Sequence, residues 1–464
     1  MTRTAITGGL VVNASDSLRA AVLIDGETIV AVAHEDSDLV RRFCEDAEVV
    51  DATGKYVIPG GIDAHTHMEA GQDPTTSSDT FETGTIAAAH GGTTTILDFA
   101  APLVGGSVLG AVERYHDKAN GSCAVDYGFH VMTRDVDATT FAEMSMLVDQ
   151  GVTSFKMFTA YPGQWYSTDD TIFRVMRHAG EIGALVMMHA ENGLVIDVLR
   201  DEAALRGDTA PVWHSLTRPE ALEAEAVHRV ARLAEVAGAP VYIVHLSSAP
   251  ALEEVERARR RGVRISAETC PQYLFLGLED LRKPDFVGSQ FVCSPPVRHE
   301  AHNHHALWRG LATGGLATVA TDHCPFCMHQ KELGLADFRA IPNGVPGVEH
   351  RVEQIYEGVV QGHLTLNRWV EVCSTQVAKT FGLHPRKGLL AAGADADVVV
   401  FDPNRPRTIS AQTHHMNVDY SAYEGQTLPG SVVTTFLRGK KIVDDGQFCG
   451  TRSGGAFLKR SVGS

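Results

Sequence analysis

His65 and His67 stand one residue apart in Gly61-Ile-Asp-Ala-His-Thr-His67. In an extended strand alternate side chains share a face, so both imidazoles can reach one metal ion. Lys156, His189, His245 and Asp322 each sit at or near the end of a short apolar run. Imidazole and carboxylate are suitable ligands for divalent first-row metals. Lys156 needs its own argument, because a protonated lysine repels cations. In a dry pocket beside positive charge the neutral amine is favoured. That amine can add carbon dioxide. The resulting carbamate, N6-carboxylysine, has two anionic oxygens suited to bridging two metals. A lone buried lysine more often pairs with an acid. A lone histidine at a strand end, among 22 in the chain, is more often structural. Six candidate ligands at the same end of five strands, His65, His67, Lys156, His189, His245 and Asp322, favour a metal centre instead.

Other groups carry less chemistry. Cys324 and Cys327 form a Cys-x-x-Cys without a second pair at zinc-finger spacing, so neither a structural zinc nor a redox role is expected. His299, His302, His304 and His305 fall in a polar stretch and read as a solvated face. Gly91-Gly92 precedes a strand rather than a helix, so it is not a phosphate cradle.

Eight runs can position the candidate ligands: Gly61 to His65, Thr93 to Phe99, Val125 to Met132, Val152 to Phe158, Ala184 to His189, Val241 to His245, Val263 to Glu268 and Ala317 to Asp322. Most are near-continuous apolar stretches, as in parallel strands covered on both faces. The segments between them are long enough for crossover helices. Leu222 to Ala237, for example, has apolar residues at helical spacing. Eight βα units predict an α/β fold, a (β/α)8 TIM-like barrel, whose sites lie at the C-terminal ends of the strands. Both chain ends read as β instead. Ala20 to Ile24 and Thr28 to Val32 flank Asp25-Gly26, and Val432 to Leu437 and Lys441 to Val443 flank Arg438-Gly439. These are hairpin signals. The ends are expected to pair into a small β-sandwich. The divisions are 1–57 (sandwich, first part), 58–385 (barrel) and 386–464 (sandwich, second part).

The 464 residues carry 40 basic and 57 acidic side chains, a net charge of −17. That balance argues against nucleic acid and anionic membranes as partners. No apolar stretch approaches the ~20 residues of a membrane span. Met1 to Gly8 lacks the pattern of a signal peptide. The eight scattered cysteines read as reduced thiols of a cytoplasmic protein.

The chain resembles the cyclic amidohydrolases, and within them the dihydropyrimidinases and D-hydantoinases, over almost its whole length. The resemblance rests on Pro59-Gly-Gly-Ile-Asp-Ala-His-Thr-His67, Ser154-Phe-Lys-Met-Phe158, His189-Ala-Glu-Asn-Gly193, His245-Leu-Ser-Ser248, Ala267-Glu-Thr-Cys-Pro-Gln-Tyr273, Cys293-Ser-Pro-Pro296, Thr321-Asp-His-Cys-Pro-Phe326 and Ile341-Pro-Asn-Gly-Val-Pro-Gly347. It implies one zinc on His65, His67 and Asp322, a second on His189 and His245, and carboxylated Lys156 between them. It also implies substrate contacts from Tyr161, Ser294 and Asn343. Asp322 and Tyr161 would be the catalytic pair. The implied reaction opens the ring amide of dihydropyrimidines or 5-substituted hydantoins, through a hydroxide bridging two metals, to N-carbamoyl amino acids. A homotetramer and a small neutral cyclic amide substrate are implied by the same likeness.

Two related chemistries compete with this one. Dihydroorotases typically carry an arginine two residues after His-x-His to hold a substrate carboxylate. Here that position is Glu69, which is expected to disfavour an anionic substrate. Allantoinases share the metal logic, but the matches at Tyr161, Ser294 and Asn343 favour a hydantoinase-like site over an allantoinase-like one. A non-catalytic scaffold of the same fold would lack metal ligands, and here all six positions are filled. The loop Glu69 to Asp79 is polar, whereas the loop after Lys156 offers Phe158, Tyr161, Trp165 and Tyr166. The first suits dihydrouracil and the second a bulkier hydantoin.

Overall fold

A computed structural model describes residues 3–462 of the chain. Its centre is a sheet of eight strands in sequence order: β1 (Gly61–Thr66), β2 (Thr93–Ala100), β3 (Asp126–Met132), β4 (Ser154–Phe158), β5 (Leu185–His189), β6 (Val241–Ile243), β7 (Ile265–Thr269) and β8 (Thr318–Val319). Every neighbouring pair is parallel. A parallel bridge between Thr66 and His323 joins the first strand to the chain beyond the last. There His67 N–H donates to the His323 carbonyl at 2.9 Å. The sheet therefore closes on itself as a (β/α)8 barrel. β2, β3 and β4 are buried along their whole length, and their polar residues, Asp98, His130 and Lys156 among them, are buried with the apolar ones.

All eight expected runs form strands, but two stop early. β6 ends at Ile243 and β8 at Val319, so His245 and Asp322 lie in the turns just past the ladder. Both residues hold left-handed backbone, φ 39° and 52°, which no extended strand can continue through. Helices cross between the strands as anticipated. Glu220–Ala237 buries Ala226, Val227, Val230, Ala231 and Ala234 on one face and ends at Gly238 with φ 67°, the left-handed conformation common where helices stop.

The chain ends build two larger sheets, besides the two-stranded pair Arg407–Thr408 and Thr427–Leu428. One contains Thr28–Ala33, Ala21–Asp25, Arg3–Thr7 and Glu48–Asp51, all from the first part of the chain. The other has seven strands and mixes both ends. Val398–Asp402 pairs antiparallel with both Tyr56–Pro59 and Ser431–Leu437. Ile6, Val22, Ile24 and Ile29 of the first sheet pack on Val11, Val57, Val398, Val400 and Phe436 of the second. The alternate residues Val399 and Phe401 face the barrel, where Phe401 meets Tyr356 and Trp369 at centroid distances of 4.7 and 5.0 Å. This second sheet is thus covered on both faces. Beyond it, residues 455–461 run back under the barrel. Leu458 N–H donates to Tyr127 O, Arg460 N–H to Gly151 O and Ser461 N–H to Gly382 O, at 2.7, 3.0 and 3.0 Å. Among the described residues no helix is long and apolar enough to cross a membrane.

Candidate active site

The six candidate ligands converge at the C-terminal mouth of the barrel. His65 Nε2 and His67 Nε2 each lie 3.1 Å from Asp322 Oδ1. Lys156 Nζ is 2.9 Å from His65 Nε2. His189 Nδ1 and His245 Nε2 face each other at 3.0 Å. Ligand atoms of His65, His245 and Asp322 all fall within 4.8 Å of one another. Asp322 and His245, with Tyr161 at φ 60°, hold positive φ without being glycine. Such backbone costs about 1–3 kcal/mol per residue and persists where the surroundings enforce it, often at functional sites.

Buried acids set the orientation of the imidazoles. Glu268 Oε1 lies 2.5 Å from His65 Nδ1, and Tyr242 hydroxyl donates to the other oxygen of Glu268 at 2.9 Å. Glu191 Oε2 lies 2.8 Å from His189 Nε2. An ionised carboxylate only accepts, so these rings donate their outer N–H and turn the inner nitrogen to the centre. Neither Glu268 nor Glu191 stood out in the sequence as a site residue. Each nonetheless lies inside a motif that carries the resemblance, Glu191 in His189-Ala-Glu-Asn-Gly193 and Glu268 in Ala267-Glu-Thr-Cys-Pro-Gln-Tyr273.

The charges at this point want a cation. Burial and Lys156 oppose a charged His65, but Asp322 and Glu268 outweigh them and raise its pKa. Burial favours a protonated Asp322, yet His65 and His67 hold its carboxyl well below the ordinary range. Burial draws His67 down to about 4, His245 well below its usual value and Lys156 to about 8. His245 Nδ1 is buried without a partner among the described residues, while its Nε2 meets another ring nitrogen. The neutral imidazoles of His67 and His245, beside an ionised Asp322 and an easily deprotonated Lys156, fit divalent metal ions.

A cavity of about 480 Å³ opens onto this centre, within the usual range for small-molecule sites. His67, Lys156, His189, His245 and Asp322 reach it, as do Tyr161, Ser294 and Asn343. His65 lies behind them, fully buried. Asn343 Nδ2 donates to Ser294 Oγ at 3.2 Å. Burial and Glu191 push the Tyr161 pKa up, so its hydroxyl keeps its proton. Phe158, Trp165, Phe326 and Ile341 form apolar wall. The nearby cations have protein partners: Arg200 with Asp197, Arg339 with Asp337 and Asp201, and Arg218 with His214.

A model of the amidohydrolase family matches residues 56–442. The chain belongs to the amidohydrolase family. This amidohydrolase is 52% identical over 461 residues to a D-hydantoinase of Streptomyces coelicolor, covering 99% of this chain and 98% of that one. A D-hydantoinase of Geobacillus stearothermophilus is 46% identical, with 98% and 96% covered. Among solved structures, dihydropyrimidinase from Brevibacillus agri superposes with a TM-score of 0.96 at 45% identity, each chain covered completely. The amidohydrolase is thus a hydantoinase-like cyclic amidohydrolase with a TIM-barrel fold.

Glu69 corrects one expectation. Its carboxylate accepts from Phe81 N–H at 3.2 Å and lies 3.8 Å from Lys118 Nζ, and it does not line the cavity. The backbone at Glu69 is left-handed, φ 51°, which turns the side chain toward the start of the next helix. Its charge therefore gives no reason to exclude an anionic substrate. Of the polar loop only Thr75 reaches the cavity among residues 69–79, and Tyr166 of the aromatic loop does not. His302 and His305 are exposed, while His304 sits 2.9 Å from Leu276 O.

Proposed function

We propose that this amidohydrolase opens 5-substituted hydantoins, and more slowly dihydropyrimidines, to N-carbamoyl amino acids. The observation that carries the reading is the metal-ready centre facing Tyr161, Ser294 and Asn343 across one aromatic-walled cavity. Two divalent ions, zinc by preference, would be held by His65, His67 and Asp322 and by His189 and His245, with carboxylated Lys156 shared between them. When bound, they supply Lewis acidity and a nucleophile from water near neutral pH.

The protein's own groups then do the rest. The backbone carbonyls of Ser294 and Asn343, which no donor among the described residues engages, accept the ring N–H groups and fix the ring. Tyr161 donates its hydroxyl hydrogen to the ring carbonyl oxygen as negative charge develops there. Asp322 takes the proton of the attacking water and delivers it to the leaving ring nitrogen. Its Oδ1 faces two histidines, while no donor among the described residues engages Oδ2. The apolar wall of Phe158, Trp165, Phe326 and Ile341 receives the 5-substituent.

Glu268 supports the centre by holding His65. Glu268→Gln is expected to weaken metal affinity about 10–100-fold while the barrel stays folded. A metal titration followed by calorimetry would show it, and unchanged affinity would remove Glu268 from this role. Substrate preference is tested by timing zinc-loaded enzyme on a 5-aryl hydantoin and on dihydrouracil. Faster hydantoin opening is expected. Faster dihydrouracil opening would mean the aromatic wall does not set the preference.

We assign the protein to the cytoplasm, where its eight free thiols stay reduced. A homo-oligomer, taken as a tetramer, fits the helix Gly193–Leu205, which exposes Leu194, Val195, Val198 and Leu205.

A further inference from the structure

The two loops that carry Ser294 and Asn343 use their carbonyl groups unevenly. Val292 O accepts from Gly344 N–H at 2.9 Å and from Lys331 Nζ at 3.3 Å. Cys293 O accepts from His214 Nε2 at 2.8 Å, and Pro295 O from the Tyr273 hydroxyl at 2.8 Å. Lys331 Nζ also donates to Pro342 O at 2.7 Å and to Gly344 O at 2.8 Å. Every carbonyl flanking positions 294 and 343 is therefore taken by a donor. The carbonyls of Ser294 and Asn343 themselves have no donor among the described residues.

Lys331 is the common element. It ends the short helix Met328–Lys331 and its side chain is fully buried. No carboxylate among the described residues comes within ion-pair distance of it. A buried ammonium without an acid is expensive, and an apolar side chain of similar length would pack there without that cost. An ammonium has three N–H donors and no acceptor, and here three carbonyls receive them.

We propose that Lys331 is a positioning residue for ring recognition. It ties the 292–294 loop to the 342–344 loop through three carbonyls, so that only those of Ser294 and Asn343 are left to accept ring N–H groups. The inference rests on the substrate contacts proposed above and names the ligand class they select: cyclic ureides and imides with unsubstituted ring nitrogens. His214 assists from the other side. Arg218 donates to its Nδ1 at 3.1 Å, which leaves the proton on Nε2 to hold Cys293 O. Burial brings the Lys331 pKa down to about 7. The three carbonyl dipoles pointed at the nitrogen favour its charged form.

The test compares a hydantoin with its ring N-methylated derivative, using zinc-loaded wild type, Lys331→Met and Lys331→Gln. Wild type should prefer the N–H ring by about 10²-fold or more in kcat/KM, because methylation leaves a buried carbonyl unpaired. Lys331→Met should shrink that preference about tenfold, mainly through a raised KM for the N–H ring, with metal content unchanged. Lys331→Gln, which keeps two N–H donors, should retain part of it and serves if the methionine variant does not fold. A merely structural lysine would lower both substrates equally. A preference kept at the wild-type ratio in a variant would overturn the assignment of Lys331 while leaving the substrate contacts standing. Wild type that accepts both rings equally would overturn the contacts themselves.

Discussion

Replacing Lys156 by alanine is expected to remove metal and activity together. Lys156 lies in the middle of the ligand set, 2.9 Å from His65 Nε2, and is almost wholly buried. Its ammonium sits 4.2 Å from the centre of the Phe99 ring, and no acid among the described residues forms an ion pair with it. Burial already draws its pKa to about 8, which makes the amine available to carbon dioxide. The carbamate then supplies negative charge that no imidazole can. Loss of a partner that merely supports a ligand costs about 10–100-fold. Loss of a shared ligand should cost about 10³-fold or more in kcat/KM, with metal content falling in parallel. Short carboxylic acids that fit the vacated space should restore part of both. A native mass spectrum of the wild type should carry one added carbon dioxide, absent from the variant. A metal-replete, fully active Lys156→Ala protein would exclude the carbamate.

Tyr161→Phe should leave the metal in place and lower kcat by about 10²–10³-fold, as removal of one oxyanion donor does. The hydroxyl is well placed for that role. Its ring lies 5.2 Å from that of His189, its backbone is held at φ 60°, and burial with Glu191 keeps it protonated. Because that pKa is raised, the donor survives across the working pH range, and the pH profile should show no limb from Tyr161 titration. KM should change little if the bond strengthens only as the oxyanion forms. An unchanged kcat would take Tyr161 out of the mechanism.

The barrel was legible because its strands are buried on both faces and so read as largely apolar runs, β5 and β6 most clearly. The hairpin at Arg438-Gly439 was equally plain, and both residues adopt positive φ there. What the sequence hid is non-local. Glu268 reaches His65 across 203 positions, and Lys331 gathers carbonyls from two loops, one of them 39 positions away. Spacing within a motif reports neighbours along the chain and is silent on partners brought in by the fold. Backbone reversals at histidine and aspartate were hidden too, because glycine is the usual marker of positive φ and neither His245 nor Asp322 is one. Glu69 misled for the same reason. It follows His-x-His by two residues, but the turn at its own backbone carries the carboxylate away from the cavity.

The most direct measurement follows hydantoin opening by the purified protein as isolated, after chelation, and after zinc is returned, with the product identified by mass. The account predicts N-carbamoyl amino acid from the isolated enzyme, loss of activity on chelation and its return with zinc. Full activity in the metal-stripped protein, or intact hydantoin and dihydrouracil with the zinc-loaded one, would contradict it.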